Sequence, residues 1–96
     1  MPKGYIVARI TVDDPDVYAD YVRATAPAIA KYGAKMLARG GRHQMLEGGA
    51  RPRNVIIEFD SFETAVAFYH SEEYQAAVRI RAPIATAEIV AIEGVD

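Results

Sequence analysis

Cysteine is absent from this 96-residue chain, which removes disulfides, thiolate metal sites and thiol nucleophiles together. An excess of one charge is missing as well. Eleven basic residues against 13 acidic ones leave a net charge of −2, with no cluster of Lys and Arg to form a nucleic-acid footprint. No apolar run approaches the roughly 20 residues needed to cross a bilayer. The start, Met1-Pro2-Lys3-Gly4-Tyr5, carries neither the apolar core nor the cleavage site of a signal peptide, so a cytoplasmic protein is expected. The two histidines, His43 and His70, do not stand at metal-site spacing. No metal and no cofactor is therefore expected. What remains is ordinary for a globular protein, about half apolar and a quarter charged. The length fits one domain spanning residues 1–96, with a modest core.

Gly4–Val12 alternates and is rich in β-branched residues, which predicts a first strand. Ile6, Ala8, Ile10 and Val12 point to one side; Tyr5, Val7, Arg9 and Thr11 point to the other. Asp13-Asp14-Pro15-Asp16 starts a helix: an Asp side chain caps exposed N–H groups, proline loses nothing at the first helical position, and carboxylates suit the positive helix end. Tyr18, Tyr21, Val22, Ala28, Ile29 and Tyr32 follow at helical spacing, with a kink at Pro27 and a left-handed stop at Gly33. A second strand is predicted over residues 34–39. Gly40-Gly41 allows a bend or bulge, and residues 42–47 continue extended into a hairpin loop at 48–52. Arg53–Phe59 forms the third strand. Asp60-Ser61 opens a second helix bearing Phe62, Ala65, Val66 and Tyr69, and Ser71 caps a fresh short helix with Tyr74, Ala77 and Val78. Pro83 ends it, and residues 86–93 form the fourth strand.

The order β-α-β-β-α-β, with two right-handed crossovers joined by a hairpin, gives a ferredoxin-like α+β fold: a four-stranded antiparallel sheet with both helices on one face. The first and third strands lie at its centre. The other face is left uncovered. If Val55, Ile57 and Phe59 go under the helices, Asn54, Ile56 and Glu58 face outward beside Tyr5, Val7, Arg9 and Thr11. Apolar Val7 and Ile56 alternate there with Arg9, Asn54 and Glu58. Such a mixture suits a sheet that pairs with a second copy and must match its buried polar groups, Arg9 with Glu58 among them. A solvated face with a weak surface ion pair is the alternative.

Several segments resemble the bacterial family described as domain of unknown function 1330. They are Gly4-Tyr5; Val12-Asp13-Asp14-Pro15 with Tyr18 and Tyr21; Gly33; Leu37-Ala38-Arg39-Gly40-Gly41; and Leu46-Glu47-Gly48. Arg53–Phe59, Tyr69-His70-Ser71-Glu72-Glu73-Tyr74, Arg81 and Glu93-Gly94 complete the pattern. One departure is Phe68, where the family pattern has tryptophan; the change alters packing. The resemblance implies a dimeric α+β barrel, in which two sheets pack back to back. It implies no activity. The wider group of such barrels includes cofactor-free monooxygenases, isomerases and haem-binding enzymes, which is a likeness of fold alone.

The chemistry-bearing residues are few. Glu58 is the candidate general base, since a carboxylate in a dry cleft titrates upward, although a neighbouring Arg9 would hold it ionised. Arg39-Gly40-Gly41-Arg42 offers backbone N–H groups and guanidiniums to an anion but lacks phosphate-loop spacing, and a bulge that re-aims Arg39 is the plainer reading. His43 stands near these arginines as a binding candidate. Asn54 and Tyr69 complete the set, Tyr69 because the interruption at Ser71 leaves room beside it. Arg53 and Arg81 are further anion candidates, with rim ion pairs as the alternative. No serine sits in a nucleophile elbow, and the third strand lacks the ring pair with which domains of this topology stack RNA bases.

Two functions follow. One is a cofactor-independent enzyme or binder acting on a small organic, acidic molecule through Arg9, Asn54, Glu58 and Tyr69, with Arg39 or His43 at the mouth. The other is a non-catalytic dimeric module whose polar groups only fix the association. They differ in whether a cavity exists.

Overall fold

The computed structural model describes residues 2–49 and 51–95. The elements run β1 (Gly4–Val12), α1 (Pro15–Ala24), α2 (Ala26–Tyr32), β2 (Lys35–Arg39), β3 (Arg53–Phe59), α3 (Phe62–His70), α4 (Glu72–Arg81) and β4 (Ala85–Glu93). The strands form one antiparallel sheet in the order β2-β3-β1-β4, the ferredoxin-like α+β arrangement.

Local chemistry sets the helix ends. The Asp14 carboxylate accepts from the Asp16 and Val17 N–H groups at 3.1 and 3.2 Å, with Pro15 at the first helical position. Ser61 Oγ accepts from Thr64 N–H, and Ser71 Oγ from Tyr74 N–H, each at 3.1 Å. Pro27 does more than kink its helix. The chain breaks at Thr25 into α1 and α2, and Gly33, at φ 62°, stops the second piece.

Strand parity places the core. Ile6, Ala8, Ile10, Val55, Ile57 and Phe59 are buried beneath Tyr18, Tyr21, Ala28, Ala65, Phe68, Tyr74 and Ala77 of the helical layer. Gly4 is needed where β1 passes the start of α3, because a Cβ there would overlap the Ser61 carbonyl. The outward face carries three rows in register: Asn54–Arg9–Glu88, Ile56–Val7–Val90 and Glu58–Tyr5–Ile92.

The β2–β3 connection departs from expectation. Residues 42–47 are not a strand; β2 ends at Arg39, and residues 40–49 and 51–52 are irregular. To pair, 42–47 would need partners N-terminal to Arg53, and Pro52 has no N–H to give. Gly40, at φ 69°, turns the chain away after its N–H donates to the Asn54 carbonyl at 2.9 Å. The bulge sits earlier than Gly40-Gly41: register shifts between Met36 and Ala38. Its effect is the expected one. Met36 pairs with Ile57 and Arg39 with Val55, so the extra residue turns Arg39 to the helix side.

Candidate functional site

The six residues singled out from the sequence fall into three places. Arg9, His43 and Asn54 meet on the outward face, lining a shallow depression of about 280 Å³ under the strap at 44–47. Arg9 donates to the Gly49 carbonyl at 2.7 Å, and His43 Nδ1 lies 3.3 Å from the Gly41 carbonyl. Glu58 is on the same face but two rows away, accepting from the Tyr5 hydroxyl at 3.4 Å. Arg9 and Glu58 therefore do not pair within the chain. Register puts Asn54 and Glu88 opposite Arg9, and Tyr5 opposite Glu58. Arg39 joins Arg53, Tyr18 and Tyr21 around a narrow apolar space of about 50 Å³ beneath α1 and α2.

Tyr69 belongs to a third place, on the opposite side of the sheet from Arg9, Asn54 and Glu58. It lines a cleft of about 370 Å³ between α3, the end of α4 and β4. The sequence explains why this space is unfilled. The inward positions of β1 from Gly4 to Ile10 and of β3 from Val55 to Phe59 are buried, whereas those of β4 are only half-buried, and Ala87 and Ala91 there are too small to reach the helices. Ile6, Ile89 and Val66 complete apolar walls. Three polar side chains face the space: Tyr69, half-buried; His70, exposed at its rim; and Arg81, at 5% exposure.

Arg81, an anion candidate with a rim ion pair as the alternative, forms no ion pair among the described residues. Its guanidinium lies over the Tyr21 ring, 5.3 Å from the centroid, and its Nε has no hydrogen-bond partner. The signal was available in the spacing. Arg81 stands at i+7 from Tyr74 and i+4 from Ala77, on the buried face of α4. Beside it the Tyr21 phenol stays neutral. Tyr21 and Tyr74 share a hydrogen bond of 2.8 Å, and burial pushes the Tyr21 pKa up against the opposing pull of Arg81. Burial likewise raises Tyr18, opposed by Arg53, whose guanidinium covers the Tyr18 ring at 5.0 Å.

Among the described residues no group of His, Asp and Glu is placed to hold a metal ion, and no helix is long and apolar enough to cross a membrane.

The model of the family described as Domain of unknown function (DUF1330) matches residues 3–95. Among curated proteins none matches. A structure of a protein of unknown function from Rhodopseudomonas palustris superposes with a TM-score of 0.74 at 20% identity, covering 99% of this chain and 84% of that one. A dimeric ferredoxin-like protein of unknown function from Thermobifida fusca follows at 0.62 and 19% identity, covering 96% and 89%. SnoaB, a cofactor-independent oxygenase from Streptomyces nogalater, superposes at 0.61 and 14% identity, covering 96% and 92%. At these identities the likeness is one of fold.

Proposed function

The chain belongs to the family of domain of unknown function DUF1330, and from that premise we propose that it is a homodimer, each subunit of which holds a small organic molecule in the cleft between α3, α4 and β4. The cleft itself carries this reading. It is of ligand size, and its lining mixes aliphatic side chains with a few convergent polar groups, as small-molecule sites do. A core protein without such a role would have filled it with larger residues than Ala87 and Ala91. His70 offers an imidazole at the rim, and Tyr69 a hydroxyl beside it. Both suit cofactor-independent chemistry, and SnoaB, a cofactor-independent oxygenase, shares this fold.

The outward face supports the dimer. Ile56, Val90 and Ile92 are exposed there, flanked by Met45 and Leu46 of the strap. A two-fold axis along the Ile56–Val7–Val90 row sets the Arg9 row of one copy against the Glu58 row of the other. Asn54 then stands opposite Glu58 of the other copy, and Arg9, one strand away, is within side-chain reach of that carboxylate. Arg9, Asn54, Glu58 and His43 accordingly serve association; Tyr69 serves the cleft. The Thermobifida fusca protein with this fold is dimeric.

Methyl NMR titration of the full chain with small aromatic and branched aliphatic molecules, acids and neutral compounds alike, tests the site. The Ala87, Ala91 and Val66 methyls are expected to move while those of fully buried Ala28, Ala65 and Ala77 stay. No movement at Ala87 and Ala91, or movement only on the outward face, would remove the proposed site.

A further inference from the structure

We propose that the occupant of this cleft is an organic acid with an apolar body, its carboxylate held by the Arg81 guanidinium; the inference rests on the reading of the cleft as a ligand site. Arg81 is a buried cation without an anion. The ion pairs among the described residues are Arg23 with Asp20, Lys31 with Glu73 and Arg51 with Glu88, none of them at Arg81. Its Nε is unsatisfied, and its described aromatic contact is one face of Tyr21. The Tyr21 phenol over which it lies supplies no countercharge, because burial keeps it protonated. The C-terminal end of α4 offers roughly half a charge at most. Dehydrating a guanidinium is costly, and a ring face returns little of that cost.

Arg53 marks the contrast. Its Nε is also unpartnered, but the residue is only half-buried and borders an open groove, where water can solvate the rest of its head. Arg81 is buried, and it borders a cleft walled by Ile6, Val66, Ile89, Ala87 and Ala91, with Tyr69 and His70 as its other polar groups. A guanidinium presents a planar fork that a carboxylate meets with two parallel hydrogen bonds. One buried cation, with the aliphatic side chains of Ile6, Val66 and Ile89 beside it, suits a singly charged head on an apolar body.

The decisive comparison needs no variant. Benzoate and benzamide have the same shape, and only the first carries the charge. Calorimetry with methyl NMR on the wild-type chain is expected to show benzoate binding once per chain, at least about tenfold more tightly than benzamide, with shifts at Ala87 and Ala91. Arg81→Met is expected to bind the two alike and to melt no lower than wild type without ligand, since it removes an unpaired buried charge. Benzamide binding as tightly as benzoate in wild type, with the same methyl shifts, would overturn the acid while leaving the cleft as a ligand site. A tenfold preference surviving in Arg81→Met would overturn the anchor. Absence of shifts with either compound at millimolar concentration would overturn both readings.

Discussion

Phe68→Ala is expected to cost about 3–5 kcal/mol of stability. The ring is 1% exposed and stands 5.0 Å from Phe59, 4.7 Å from Tyr74 and 6.1 Å from Tyr32, centroid to centroid. Those partners come from β3, α4 and α2, so one side chain ties three helical segments to the sheet. Collapse into the space is restricted, because Ala65 and Ala77 nearby are already fully buried and have nothing to extend. In a chain this short the loss corresponds to a melting point lower by roughly 15–30 °C. Denaturant unfolding followed by circular dichroism, at equal protein concentration, measures it. A loss below about 1 kcal/mol would mean the helical layer is not organised around this ring.

Val90→Asp is expected to leave a folded monomer. Val90 is 53% exposed in the single chain, so the carboxylate is solvated there and the fold tolerates it. In the proposed dimer it sits on the central row with Val7 and Ile56, where burial brings like charges together at a cost of several kcal/mol. The dissociation constant should rise by at least roughly a hundredfold. Glu58→Gln should weaken the dimer less and leave ligand binding in the cleft unchanged. Sedimentation velocity reads both. Val90→Asp remaining dimeric, or a wild type that is monomeric at tens of micromolar, would remove the sheet-face interface.

Much of this architecture is legible in the chain because local chemistry and period decide it. Asp14, Ser61 and Ser71 announce helix starts with the side chains that then cap them. The two-residue period of β1 and β3 sorts core from surface at every position between Ile6 and Ile10 and between Val55 and Phe59. What depends on distant partners is not legible in the same way. Register decides that Arg9 faces Asn54 and Glu88 instead of Glu58, and register follows from a long connection whose path no single residue sets. The strap at 42–47 has the composition of a strand but lacks a chain to pair with. Tyr69 and Glu58, grouped by chemistry, are separated by the sheet itself. The cleft lay in a quieter signal: a run of small inward residues on β4 opposite a helix that carries an arginine on its buried face.

An open space behind β4 is the premise of both proposals. Ala91→Leu tests it without a ligand. Ala91 pairs with Ile6 on the helix side of the sheet and borders the cleft, so a larger side chain should enter it without overpacking. Ala77, at 0% exposure in the filled core, is the reference. The prediction is that Ala91→Leu unfolds within about 0.5 kcal/mol of wild type, or above it, while Ala77→Leu loses about 1–3 kcal/mol. Equal losses in the two variants would mean that no cleft lies behind β4.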